Sequence, residues 1–301
     1  MLERKEGTID EFHIQDLIES IRPKQWIKNL VIFCVGVICS INGFQWSNII
    51  DLTLTFLAFC CGSSSVYVLN DYLDKEKDIK HPQKKFRPIA SGKISLTMAG
   101  LIILTLAPLG LLLAVSIDTK VALLLAVYLA VNLAYCLKLK HIPHIDITCI
   151  ASGFTIRALS GASAVNFEAD FWIIAAITFI CVALAHMKRI KEVKQLGNSG
   201  ESRSVLRKYS YESLSRNQDI FIALSALSLL AYLNSLEINN SFLLAGALTG
   251  VSAILMTFSS RVQNTTEGDP TDFIYKNKVL SLFALVLLGG IAIIYSSGIY
   301  K

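Results

Sequence analysis

The sequence predicts an all-α protein, a multi-pass integral membrane bundle of nine transmembrane helices with a polar cavity facing the cytoplasm. Three observations carry this. Of the 301 residues, 53% are hydrophobic and only 17% charged, with a mean hydropathy of +0.53, which is more apolar sequence than a soluble chain of this length uses. The apolar residues gather into nine stretches close to the ~20 residues that span a bilayer: 27–43, 51–69, 97–116, 120–136, 146–164, 171–187, 219–236, 241–259 and 279–299. Positive charge is confined to alternate connections. All of the 28 Lys and Arg except Lys120, Arg157 and Lys301 lie in the N-terminal arm, at the start of helix 1, or around the connections after helices 2, 4, 6 and 8. Cytoplasmic loops carry such an excess, so the N-terminus is expected inside and the C-terminus outside. The same confinement argues against nucleic acid as the reason for the net charge of +5. The first 25 residues hold no early apolar run, so no cleavable signal peptide is expected and helix 1 acts as the insertion signal.

Each element has its own signature. Residues 8–21 set Ile9, Phe12, Ile14, Leu17, Ile18 and Ile21 among acids, the pattern of a short amphipathic helix lying on the membrane surface. Arg22-Pro-Lys-Gln-Trp-Ile-Lys-Asn29 leads into helix 1. Lys24 and Lys28 share a helical face there, either as headgroup anchors or reaching a cytoplasmic cavity. Helix 2 contains Gly62-Ser-Ser-Ser65, small residues that permit close helix contact. Helix 3 contains Pro108, a kink candidate. Helix 5 carries Arg157, whose charge costs at least ~2.5–3.5 kcal/mol near mid-membrane and so faces a polar cavity or a carboxylate partner. Helix 6 ends in Lys188-Arg-Ile-Lys-Glu192, and helices 7–9 read as scaffold. The seven cysteines are scattered through apolar stretches without a C-x-x-C pair and read as small core residues. His141 and His144 flank Pro143 in an interfacial loop. Asn239-Asn-Ser241 and Asn264-Thr-Thr266 are short enough matches to the glycosylation pattern to arise by chance.

The stretch that organises the chain is Asn70-Asp-Tyr-Leu-Asp-Lys-Glu-Lys-Asp78, with Lys84, Lys85, Arg87 and Lys93 following. Asp71, Asp74 and Asp78 are spaced i, i+3, i+7, which puts three carboxylates on one face if helix 2 continues through them. Like charges 4 Å apart repel by about 4 kcal/mol at an effective dielectric near 20, so the arrangement calls for cations. A hard divalent ion such as Mg²⁺, which shares oxygen ligands with substrate phosphates, suits it. The basic residues beyond are placed to hold remaining phosphate charge.

N-D-x-x-D-x-x-x-D at the cytoplasmic end of helix 2 in a nine-helix chain resembles the UbiA superfamily of intramembrane prenyltransferases. The segment from Tyr135 to Asp146 is similar to that superfamily's region after helix 4. Aromatic-acceptor members carry a second D-x-x-x-D after helix 6; here Lys188-Arg189-x-x-Glu192 stands in its place. With Arg22–Asn29, His81-Pro…Lys85-Phe-Arg-Pro-Ile89 and Gly153-Phe-x-x-Arg157-Ala, this resembles the polyprenyl-phosphate phosphoribosyltransferase branch, whose best-known members use decaprenyl phosphate. The resemblance implies one domain over residues 1–301, with an interfacial arm (1–25) and catalytic loops at 70–96 and 187–218, in a bacterial inner membrane. It implies Mg²⁺ on Asp71, Asp74, Asp78 and Glu192, with help from Asn70. Lys85, Arg87, Lys188 and Arg189 would bind phosphate, joined by Lys24 and Lys28. Tyr135, Lys138, Asp146 and Arg157 would line a deeper wall. The implied partners are phosphoribosyl diphosphate (PRPP) and a polyprenyl phosphate. The alternatives are a prenyl diphosphate donor acting on an aromatic or other small acceptor, and a non-catalytic transporter or scaffold.

Overall fold

The computed structural model describes residues 14–40, 45–195 and 205–235, all helices and their connections. The predicted helices at 241–259 and 279–299 and both glycosylation-type triplets lie outside the described residues. Helix α1 (Ile14–Ile21) leaves Ile14 and Ile18 exposed and buries Asp16 and Ser20. Its Leu17 and Ile21 pack beside Val68, Ile89 and Ile94. Two isoleucines thus turn outward while two apolar residues pack inward, and the first six residues of the predicted amphipathic stretch, 8–13, lie outside the described residues.

Where a single first helix over 27–43 is expected, a 3₁₀ segment (Pro23–Leu30) leads into α2 (Val31–Ser40). Helix α3 (Trp46–Leu73) has 28 residues and so measures about 42 Å, against ~30 Å of hydrocarbon. The helix is therefore longer than a span needs, and its last turns hold the polar residues Asn70 and Asp71. A five-residue helix, α4 (Lys75–Ile79), follows at once. Then come α5 (Leu96–Val115), α6 (Thr119–Leu137), α7 (Ile145–Ala164), α8 (Phe171–Gln195) and α9 (Tyr211–Ser235). Helices α5 and α6 start on side-chain caps, Ser95 Oγ accepting from Met98 N and Asp118 from Lys120 N. Pro108 lies inside α5, which stays helical through it.

Helices α3, α5, α6 and α8 are long and apolar enough to cross a membrane by length and composition. The expectation of nine spans reaches further than this. Among the others, α2 has ten residues and α7 contains both Asp146 and Arg157. Helix α8 runs eight residues past its predicted end because Lys188–Gln195 is made of good helix formers. Lys188, Arg189 and Glu192 therefore sit on the helix, as its expected end in Lys188–Glu192 has it, while the start of the catalytic-loop region expected from residue 187 is helical to Gln195.

Two helices are central. Helix α3 packs on α2, α5, α6 and α7, while α7 packs on α2, α6 and α8; α9 lies along α8. Small residues allow this. A methyl at Gly161 would stand 2.2 Å from the Ile32 carbonyl oxygen, so α7 and α2 touch backbone to backbone. Gly110 of α5 would meet the Ala58 carbonyl at 2.8 Å. The core between them gathers Ile32, Leu52, Phe59, Leu125 and Tyr128. All seven cysteines are free.

Candidate active site

The end of α3 does not carry three acids on one face. The helix stops at Leu73, and Asp74 (φ −95°, ψ 6°) joins it to α4; the Asn70 carbonyl accepts from Asp74 N at 3.0 Å to close the last turn. The break separates the acids. Asp71 and Asp78 are buried and turn to the same cation, Arg87, whose Nη1 donates to Asp71 Oδ1 at 2.9 Å and to Asp78 Oδ2 at 2.7 Å. Arg22 Nη2 donates to both oxygens of Asp71, at 2.7 and 2.6 Å. Asp74 turns elsewhere: Lys140 Nζ donates to its two oxygens at 2.8 and 2.7 Å. Lys93 pairs with Asp16 at 2.9 Å, and that hydrogen bond lifts its pKa above the ordinary 10.5.

Arg22 takes a left-handed backbone conformation (φ 52°, ψ 62°), which costs a non-glycine residue about 1–3 kcal/mol. Tertiary bonds hold it there. Ser64 Oγ donates to the Ile21 carbonyl at 2.9 Å, and Trp26 Nε1 donates to Ser64 Oγ at 3.0 Å. Its guanidinium lies 5.2 Å from the Tyr67 ring centroid. Lys24 is exposed and Lys28 half-buried. They do not share a face, because in a 3₁₀ helix residues four apart stand about 120° apart.

A second charged cluster joins α7 to α8. Asp146, in the first turn of α7, is fully buried. It accepts from Arg189 Nε at 2.7 Å, from Ile147 N at 2.8 Å and from the Tyr209 hydroxyl. The helix N-terminus also favours its charge. Arg189 is fully buried and pairs as well with Glu192. So Arg189 is no surface phosphate ligand, and Glu192 belongs to Arg189 rather than to the α3 acids. Among the described residues Arg189 Nη2 has no hydrogen-bond partner. Burial, with the bond to Asp146, pushes the Tyr209 phenol above its ordinary 10.0. Tyr209 also accepts from His144 N at 2.6 Å. The connection between α6 and α7 and the first turn of α7 thus touch both clusters, through Lys140 at Asp74 and Asp146 at Arg189.

Arg157 is buried among neutral partners. Its Nε donates to Asn29 Oδ1 at 2.6 Å, Nη1 to the Gly153 carbonyl at 2.8 Å and Nη2 to the Tyr128 hydroxyl at 3.0 Å, with the Tyr128 ring centroid 4.6 Å away. Among the described residues neither a carboxylate partner nor an open cavity accounts for it; it fastens α7 to the segment before α2 and to α6. Tyr135 is half-buried and packs on the same core. Lys138 and Lys85 are exposed, Lys85 Nζ lying 5.2 Å from the Phe86 ring centroid, and Lys188 is half-buried.

Among the described residues no group of three or more His, Cys, Asp and Glu side chains gathers where one metal ion could be held. The four-carboxylate set is therefore not assembled. Asp71 and Asp78 still have the right chemistry for a hard cation, since two buried carboxylates already share a single positive nitrogen. Sequence reasoning missed Arg22, Lys140 and Tyr209. Between α6 and α7 runs an open apolar cleft of about 530 Å³, lined by Ala130, Val131, Ala134, Ile145, Thr148 and Cys149 among others.

Comparison with known proteins gives the chain a family and a fold. Residues 29–282 match the UbiA prenyltransferase family. A decaprenyl-phosphate phosphoribosyltransferase of Mycolicibacterium smegmatis is 30% identical, over 94% of both chains. One from Corynebacterium glutamicum is 31% identical over 89% of this chain and 83% of its own. In fold, the chain is similar to a UbiA homologue from Archaeoglobus fulgidus solved with GPP and Mg²⁺, with a TM-score of 0.70 and 17% identity, over 95% of this chain and 99% of that one.

Proposed function

The chain belongs to the UbiA prenyltransferase family, and from that premise we propose that it moves a 5-phosphoribosyl group from PRPP to a polyprenyl phosphate, releasing diphosphate. The observation that carries the choice of donor is the end of α8. There Lys188, Arg189, Lys191 and Lys194 surround one acid, Glu192. PRPP bears a diphosphate and a 5-phosphate, and the acceptor adds a third phosphate, so a basic helix end suits it better than a second acidic clamp. The names of the relatives at about 30% identity point the same way.

In this reading a lipid phosphate oxygen bonds to the anomeric carbon as the bond from that carbon to diphosphate breaks, the electron pair leaving with diphosphate. The attacking oxygen is already anionic, so no general base is needed. Asp71 and Asp78 would hold Mg²⁺, which when bound neutralises charge on the leaving diphosphate. Arg87 stands beside both acids, ready for phosphate oxygens, with Lys85 in the connection after α4 and Lys188 about two turns before the end of α8. Asp74 and Asp146 fix the frame through Lys140 and Arg189. Positioning and electrostatic stabilisation then supply the rate. The cleft between α6 and α7 takes the polyprenyl tail. The Lys and Arg bias supports a site on the cytoplasmic face, and the bacterial sources of the named relatives support a bacterial inner membrane.

The family's name favours a second reading, in which the donor is a prenyl diphosphate and the acceptor a small molecule. One experiment separates the two. Purified protein is given Mg²⁺ with PRPP and polyprenyl phosphate, or with a prenyl diphosphate and aromatic acceptors, and product masses are measured. A phosphoribosylated lipid is expected from the first mixture. A prenylated acceptor from the second mixture alone would overturn the assignment.

A further inference from the structure

We propose that Arg22 is a diphosphate-binding residue held in reserve on Asp71, and that with Arg87 it keeps a lone divalent cation from settling between Asp71 and Asp78. This rests on reading that carboxylate pair as the metal–diphosphate site. Both oxygens of Asp71 are taken by guanidinium donors at 2.6 to 2.9 Å, and Asp78 shares the Nη1 of Arg87. Two arginines balance two aspartates. A cation arriving alone must displace both guanidiniums and leave them without partners. Arriving with diphosphate, it brings oxygens that the freed guanidiniums accept, because their planar fork fits phosphate as well as carboxylate.

The backbone is built for such an exchange. Arg22 sits in a left-handed conformation before Pro23, and Ser64 anchors the chain on both sides of it, through Ile21 and Trp26. The origin of the side chain is therefore fixed. Its charged head is about a quarter exposed, whereas Asp71 is buried. Only the side chain has to move. Coupling between two ligands is reciprocal, so cation and diphosphate should tighten each other equally.

The test uses the full chain in nanodiscs, with Mn²⁺ followed by electron paramagnetic resonance and pyrophosphate binding by calorimetry. In the wild type, pyrophosphate is expected to tighten Mn²⁺ about tenfold or more, inside the usual span of coupled sites. In Arg22→Gln, Mn²⁺ alone should bind more tightly than in the wild type, and the tightening by pyrophosphate should be smaller, what remains coming from Arg87 and from the metal's own bonds to pyrophosphate. Arg22→Lys, which keeps the charge without the fork, should fall between. Asp71→Asn releases Arg22 and should bind metal-free pyrophosphate more tightly than the wild type, a gain absent from Asp71→Asn with Arg22→Gln. Wild-type coupling with Arg22 variants unchanged overturns the proposal alone, as does a gain that persists in the double variant. A wild type that binds no Mn²⁺ even with pyrophosphate overturns the parent reading and this one with it.

Discussion

Lys140 reaches from the connection between α6 and α7 to both carboxylate oxygens of Asp74, at 2.7 and 2.8 Å, with only 5% of the lysine exposed. The pair fastens the break after α3 to an element 66 residues away. It also explains why the three acids part company. Asp74 is drawn to Lys140, while Asp71 and Asp78 close on Arg87.

Removing the lysine should therefore loosen that break. In Lys140→Met, Asp74 keeps, among the described residues, Lys77 at 3.8 Å as its cation, and a partly buried carboxylate without its donor costs ~1–3 kcal/mol. Thermal unfolding in detergent should show a lower Tm. Adding Asp74→Asn should recover part of the loss, since the two sites share one interaction.

The buried pair of Asp146 and Arg189 predicts a sharper result. Both side chains are fully enclosed. Taking away one partner strands a buried charge, at a cost of ~3–5 kcal/mol. Asp146→Ala should accumulate poorly as folded protein, by size-exclusion profile. Asp146→Leu with Arg189→Met should fold better than either single change, since replacing both partners of a buried pair leaves no charge stranded.

Much of this frame is readable from the sequence, and the failures share one cause. Helices α5, α6 and α7 lie within a residue of expectation because apolar runs bounded by Ser95, Asp118 and Pro143 mark them locally. Arg157 reads correctly as a buried charge, yet its partners are neutral and come from residues 29 and 128, far along the chain. The break at Asp74 has no glycine or proline to announce it, and Lys-Glu-Lys is a good helix sequence. What sets it is a tertiary ion pair. Arg22 likewise reads as a headgroup anchor before Pro23, and nothing near it marks Asp71, 49 residues on, as its partner.

Tyr209 gives a pH signature. Its pKa is raised in the folded chain above the ordinary 10.0, by burial and by donation to Asp146. A raised folded value means the contribution to stability is complete below about pH 10 and falls as pH rises through the folded value. Tyr209→Phe should be less stable than the wild type at neutral pH, by ~1–3 kcal/mol for the donor lost to Asp146. The gap in Tm between the two should narrow above pH 10. A gap that stays constant to pH 11 would contradict the shift.

Asn29 tests whether Arg157 is structural. Asn29 is fully buried and receives the Arg157 Nε bond at 2.6 Å. Asn29→Leu should lower stability by ~1–3 kcal/mol, the cost of one orphaned buried donor. If Arg157 only fastens helices, the folded fraction of this variant should keep a normal KM for PRPP. A raised KM at normal stability would return Arg157 to the substrate wall.

The cleft between α6 and α7 yields the last prediction, about the acceptor. Ala134 and Thr148 face it from opposite helices, and beyond Leu139 and Ile145 the chain turns to Lys140 and Asp146. An apolar tail laid there would bring its phosphate toward the charged clusters. Ala134→Trp should fill the cleft without touching either cluster. The expected outcome is a raised KM for long-chain polyprenyl phosphate, a smaller rise for a short-chain analogue, and an unchanged KM for PRPP. Equal effects on long and short acceptors would move the tail to another face of the bundle, since only a chain that fills the cleft can feel the added ring.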